Sequence, residues 1–239
     1  MGLPNQFNDI IHSNLKVSAA WLPITNNYQL GDYGIISEGV FTKMGNIKEY
    51  NVSFDAAQGP DATIDFTSAD TKVVKFVAGA QVDIIPEGAI DAKISISFKK
   101  EGSFIVKAPT ISVNEIQNVN QLANQLKDAK GWRRMWKVVY QIYQALEPVV
   151  ISTISADTEI SFSGDATALK SMKLGNAGLE LSSNKEVGLN IHGKQGIIGL
   201  GLFKLRLIGG GVNILSVQEK QGDITAELLN GDKAPANDF

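Results

Sequence analysis

Lys127, Lys130, Arg133, Arg134 and Lys137 fall within eleven residues, opposed only by Asp128, with Trp132 and Trp136 set between them. Basic side chains close to anionic lipid contribute about 1 kcal/mol each, and tryptophan favours the membrane–water boundary. The same set suits a single-stranded polyanion whose bases stack on the indoles. It equally suits a solvated cationic end of an element whose tryptophans belong to the core. These seven residues are the candidate membrane-binding set, because the rest of the chain argues against nucleic acid.

That argument is electrostatic. The net charge is −3 over 239 residues, with no basic footprint on the scale nucleic acid requires. Five acids (Glu219, Asp223, Glu227, Asp232, Asp238) against Lys220 and Lys233 place the whole excess in residues 217–239.

Catalytic chemistry is poorly provided for. The two histidines, His12 and His192, occupy what read as polar positions and are expected to be solvated. No Gly-x-Ser-x-Gly elbow accompanies them, and no H-E-x-x-H, EF-hand loop or Walker A lysine occurs. Cysteine is absent, which removes disulfides, thiolate ligands and thiol nucleophiles. Asp157 and Glu159 share one strand face, as a general-acid pair does, but exposed strands carry such pairs routinely. The run Gly196-Ile197-Ile198-Gly199-Leu200-Gly201 has dinucleotide-binding spacing reversed and leads into a strand, so close strand packing is its expected role. The reading is therefore of no enzyme, no catalytic residue, no cofactor and no metal site.

With 44% apolar residues, a core can form without staples. Residues 1–20 lack a basic start and a long apolar centre, so no secretory signal is expected there. Met1-Gly2 has Gln6 where a myristoylation signal wants Ser or Thr. The longest weakly charged apolar stretch, Gln195 to Leu205, is far short of the ~20 residues a spanning helix needs. A soluble folded form is expected.

The elements follow from periodicity. Phe7, Ile10, Ile11 and Leu15 give residues 5–16 one helical face. Trp21-Leu22-Pro23-Ile24-Thr25 reads as extended, and Gly31-Asp32, Gly39 and Gly45-Asn46 punctuate hairpins between Tyr28 and Phe54. Ile64 and Phe66 begin an alternation that continues through Val74, Phe76, Ala78 and Ala80 on one face, with Lys75 and Gln81 on the other. After the turn Pro86-Glu87-Gly88, Ile90 to Phe98 alternate without error against Asp91 to Lys99. Lys100-Glu101-Gly102 turns the chain into Phe104, Val106 and Ala108. Ser112 and Glu115 have capping-box spacing, which predicts a helix carrying Ile116, Val119, Leu122, Ala123 and Leu126. Trp132–Leu146 suits helix or strand until Pro148. Further strands are read at 150–162, 179–191 and 197–208.

Four of these strands, 72–84, 90–99, 150–162 and 179–191, approach the ~9–11 residues of a membrane-spanning strand with one apolar and one polar side. An antiparallel sheet with one face in water alternates in the same way. The four form two pairs, 72–99 and 150–191, around one helical segment.

In this order of parts, residues 5–208 resemble the pore-forming domain of gasdermins, including the short bacterial and fungal members. The resemblance rests on the short amphipathic helix, the extended Trp21–Thr25 segment, and two long hairpin pairs separated by a helix. It implies an α+β fold: a twisted, mainly antiparallel sheet with helices packed on one side and extendable β-hairpins. It implies one β-rich domain over 1–208, and a glycine hinge (Gly209, Gly210, Gly211) with an acidic, autoinhibitory tail over 209–239. Ile224, Leu228 and Leu229 would form a short helical face covering an assembly surface. It further implies a cytoplasmic inactive form and release by a protease. The released form would bind anionic membrane lipids, form a homo-oligomer and insert hairpins into the cell membrane, in cell death or antiviral defence. Two other readings stay open from the residues alone: a non-enzymatic interaction or structural module of a larger assembly, and an enzyme without a recognisable motif.

Overall fold

The computed structural model describes residues 2–166, 169, 180–185, 187–207 and 224–228. In chain order these form α1 (Leu3–Leu15), β1 (Ser18–Ala19), β2 (Asp32–Ser37), β3 (Val40–Asn46), a 3-10 turn (Ile47–Tyr50), β4 (Ala56–Gln58), β5 (Ala62–Thr67), β6 (Thr71–Val77) and β7 (Ala80–Val82). There follow β8 (Ala92–Phe98), β9 (Phe104–Ile116), α2 (Val119–Lys127), β10 (Lys137–Leu146), β11 (Val149–Thr153), β12 (Thr158–Gly164), β13 (Glu180–Ser183), β14 (Val187–His192), β15 (Gln195–Leu207) and β16 (Ile224–Leu228). Two antiparallel sheets with two helices make this an α+β chain, rich in sheet, as the alternation predicts. It divides into two compact units, one of residues 1–61, 112–144 and 197–239, the other of residues 62–111 and 145–196.

The first unit holds both helices. Pro4 sits in the first turn of α1, and the left-handed Lys16 ends it by donating its N–H to the His12 carbonyl. The apolar face is broader than the spacing predicts: Phe7, Ile11, Asn8 and His12 are all buried. His12, expected in solvent, is only 2% exposed, because it follows Ile11 onto the side of α1 that packs on β1 and β3. Asn8 uses its burial by accepting from the Ala19 N–H at 2.8 Å.

In the same unit β10 is flanked by β15 and β9, and β15 carries β1 and β16. The residues of β10 and β15 separate into two clusters. Val138, Tyr140, Phe203 and Leu205 pack with Leu122, Ala123 and Leu126 of α2. Val139, Leu200 and Leu202 pack with Ile36 and Phe41 of the β2–β3 hairpin. The glycines of the reversed run serve packing: a Cβ at Gly201 would strike the Gln141 side chain at 2.7 Å, and one at Gly199 would meet Val17 at 3.0 Å.

Two local expectations are corrected here. The capping-box pair Ser112 and Glu115 does not start a helix. It lies in β9, where β4 pairs with Asn114–Ile116 and the Glu115 carboxylate accepts from Gln141 at 2.8 Å. A ladder and a half-buried cross-strand partner outweigh one cap, so α2 begins only at Val119. The ambiguous Trp132–Leu146 segment is a strand from Lys137 onward, preceded by turns in which Trp132 donates to Ala129 and Trp136 to Arg133.

The second unit consists of two ribbons. In the first, β5 and β6 run against β9 and β8; in the second, β11 and β12 run against β14 and β13. The ribbons are joined side by side through β9–β11 and β8–β12.

Candidate membrane-active ribbons

Both expected ribbons form, and the strand read as 90–99 is continuous as β8, but the other three are broken. The strand read as 72–84 reverses at Ala78-Gly79, where φ is positive at both residues, and β7 folds back on β6. The strand read as 150–162 breaks between Thr153 and Thr158, with Asp157 in the left-handed region. The strand read as 179–191 has its described parts in β13 and β14, with a break between Ser183 and Val187. The arm from Ala92 onward turns between Phe98 and Phe104, where Lys100-Glu101-Gly102 predicts a turn, before continuing as β9.

These breaks fold each ribbon across its middle, and the fold makes the core of the unit. Ile105, Val149 and Ile151, from one side of the break, share a cluster with Ile94, Ile96, Phe98, Ile160 and Phe162 from the other. The first three are odd-numbered and the other five even-numbered. Opposite faces of the same two strands thus close on each other.

Along the central seam the break leaves the register untouched. Phe104 stands opposite Ser152 on one side, and Phe98 stands opposite Thr158 on the other. Between them lie five residues on each arm, 99–103 and 153–157. The Lys99–Asp157 ion pair, at 3.6 Å, joins two residues that would face each other if the ladder ran straight through. Beyond it, Ser95 donates to Glu159 at 2.6 Å. Asp157 and Glu159 are thus partners of a lysine and a serine across the seam, and among the described residues no group of acids and histidines suited to a metal is present.

The outer arms differ from one another. In the second ribbon, even positions oppose odd ones on both sides of the break, as in Val150 opposite Ile191 and Phe162 opposite Leu181, apart from a bulge at the break that sets Thr153 opposite Val187. In the first ribbon, three residues (68–70) separate Thr67 from Thr71, while six (99–104) separate their partners Ile105 and Phe98. The odd difference inverts the faces of β6. Val73 and Val77, not the expected Val74 and Phe76, pack toward Ile94 and Ile96.

The basic and aromatic cluster belongs to the first unit. Lys127, Lys130, Arg133 and Arg134 are exposed. Trp136 and Lys137 are 8% and 4% exposed and so cannot touch a surface in this conformation. Trp136 stacks on Tyr33 with ring centroids 4.7 Å apart, Trp132 lies 5.3 Å from both, and Tyr50 closes the group at 5.4 Å from Trp132. The Arg133 guanidinium sits 5.8 Å from the Trp136 ring. Burial raises the Tyr33 phenol above its ordinary value, with Tyr50 and Glu49 adding to the effect.

Ile224 and Leu228 bound a strand, not the short helix their spacing allows: β16 pairs with Phe203–Leu207 of β15. A free strand edge next to a five-residue segment favours pairing over a helix too short to nucleate. Leu229, Gly209, Gly210 and Gly211 lie outside the described residues. The feature that sequence reasoning missed is the matched break, which only cross-strand numbering exposes.

No protein-family model matches this sequence, and no curated protein matches it. Among solved structures, the chain is similar to a bacterial gasdermin from Bradyrhizobium tropiciagri, at 13% identity and a TM-score of 0.37, over 88% of this chain and 86% of that one.

Proposed function

We propose that this chain permeabilises membranes: it assembles with copies of itself and inserts its two ribbons as part of a β-barrel. The matched break of the central seam carries this reading. If residues 99–103 and 153–157 become extended, Ala92–Lys107 and Val149–Gly164 form one ladder with every present pair retained. Sixteen residues per arm, at roughly 3.3 Å each, reach about 50 Å, well beyond the ~30 Å hydrocarbon layer. Even positions would then present Ile94, Ile96, Phe98, Ile160 and Phe162 along one side, interrupted near the former break by Lys100, Ser152 and Thr158, with most of the lysines, serines and acids opposite. Hydrocarbon replaces the protein contacts these even-numbered side chains give up, so their apolar burial is regained, while the odd-numbered Ile105, Val149 and Ile151 turn to the opposite side. Two ribbons supply four strands, and lipid tolerates no open sheet edge, so closure needs many chains.

The four exposed cations beside the aromatic group are the contact with anionic lipid in this reading. The protein is cytoplasmic at rest and at the cell membrane when active. Residues 209–239 restrain it, with β16 occupying the β15 edge until a protease cuts within the glycine-rich segment. In this reading α1 and α2 pack on one side of the sheet and take no part in the insertion, which falls to the ribbons. The test is dye release from vesicles of anionic phospholipid. The full chain leaves them intact, and chain cut between Gly209 and Glu219 empties them. Absence of release from well-folded, cut protein contradicts the proposal.

A further inference from the structure

The first ribbon holds β6 in a register that its own sequence pattern opposes. At rest Val73 is opposite Ile96 and Lys75 opposite Ile94, so a lysine lies among the isoleucines while Phe76 stands opposite Lys93. The β5–β9 pairing follows another register, in which Asp65 is opposite Lys107 and Phe66 opposite Val106. Extending that register along the ribbon moves β6 by three residues. Val74 then meets Phe98, Phe76 meets Ile96, Ala78 meets Ile94 and Ala80 meets Ala92. Continued further, Val82 meets Ile90, and the tip closes on Ile85-Pro86-Glu87, where the turn residues already lie.

In this shifted ribbon every even position from Val74 to Ile84, and from Ile90 to Phe98, is apolar. The opposite side takes Lys75, Gln81, Asp83, Asp91, Lys93, Ser95, Ser97 and Lys99, together with a few small or β-branched residues. Eleven residues per arm, 74–84 and 88–98, match the span of a tilted transmembrane strand, which needs ~9–11. In the resting fold Ile84 and Ile90 are 75% and 87% exposed, which burial in the protein does not explain. The Ala78-Gly79 reversal, with Ala78 at φ 49°, is what holds the arm short.

We infer that the even-numbered face of 74–98 is a lipid-contacting surface assembled by a three-residue slip of β6 against β8, which opens the Ala78-Gly79 turn and carries Ile84 and Ile90 into hydrocarbon. The inference rests on the pore reading and adds to it a specific register, a specific lipid face and an energetic reason for the resting mismatch. Held out of phase, β6 cannot complete a membrane strand in solution. In the second ribbon the outer pairings on the two sides of the break differ by two residues, an even number, so apart from the bulge at Thr153 their faces stay in phase and the three-residue slip belongs to one arm.

The chain has no cysteine, so paired substitutions report the register without interference. Lys72 is opposite Ser97 at rest, and Lys75 would be opposite Ser97 after the slip. The experiment uses the full chain, nicked in its tail by limited proteolysis, with dye-loaded vesicles containing phosphatidylserine. The Lys72→Cys/Ser97→Cys variant oxidises in solution, releases no dye while oxidised, and regains release on reduction. The Lys75→Cys/Ser97→Cys variant stays reduced in solution, oxidises on vesicles, and releases dye in either redox state. Undiminished release from the oxidised Lys72→Cys/Ser97→Cys variant overturns the slip while leaving the pore reading in place. Oxidation of the Lys75→Cys/Ser97→Cys variant without vesicles shows that the face awaits something other than lipid, a second copy or another protein, and overturns the inference. Failure of the parent chain to release dye removes the pore reading and the slip with it.

Discussion

At the scale of single residues, the first unit's stability is concentrated where rings and backbone leave no room. Gly34 lies at an irregularity of the β2–β3 ladder, and an added Cβ would collide with the Thr42 carbonyl oxygen. Gly34→Ala should therefore destabilise the fold by roughly 1–3 kcal/mol, measured by urea unfolding, where Gly59, whose added Cβ would meet only ordinary van der Waals neighbours, would tolerate the change far better. Burial, assisted by Tyr143 and Glu115, raises the Tyr140 phenol to about 12, and Tyr33 is raised too. A raised phenol favours the neutral form in the folded state. The stability it contributes is intact below the ordinary value of 10 and is lost as pH climbs from there through the folded value near 12. Urea midpoints should fall across that window, and Tyr140→Phe should make the fall shallower. An equally steep fall in the variant would show that this phenol does not report on folding.

At the scale of elements, the breaks decide both packing and behaviour. Phe98 is fully buried at the edge of the first ribbon's break, so Phe98→Ala should cost about 3–5 kcal/mol of resting stability by chemical unfolding. The alternation at Ile90–Phe98 and at Ile160–Phe162 was plain in the sequence because period-two patterns follow from one buried face. The turn at Lys100-Glu101-Gly102 was plain too. Its partner at Ile154–Asp157 was not: those residues keep alternating, and the turn depends on Asp157 adopting a left-handed conformation that no glycine announces. The inverted faces of β6 were equally hidden, since a register offset is a property of two strands and neither one records it alone. The aromatic group was legible as a set of residues, yet not as a buried one. Tyr33 and Tyr50, which cover Trp132 and Trp136, come from the β2–β3 hairpin and the 3-10 turn that follows it, far earlier in the chain.

At the scale of the whole molecule, the proposal is of a fold that stores membrane strands in bent form. In the proposed reading docking precedes insertion and depends on the exposed cations. Replacing Lys127, Lys130, Arg133 and Arg134 with alanine should weaken binding to anionic vesicles by roughly two to three orders of magnitude at low salt, at about 1 kcal/mol per cation. The same change should leave binding to neutral vesicles and the unfolding midpoint nearly unmoved. A cosedimentation titration checks this, and a loss of stability of similar size would reassign those side chains to folding.

The central claim is that the even face of the seam exchanges protein for hydrocarbon. Single cysteines placed in turn at positions 90 and 93–97, each carrying a fluorophore, can be read with nitroxide quenchers on the lipid acyl chains. The account predicts quenching at Ile90, Ile94 and Ile96 but not at Lys93, Ser95 or Ser97, and only in tail-cleaved protein on vesicles. Quenching at none of the six, or equally at all of them, would contradict it.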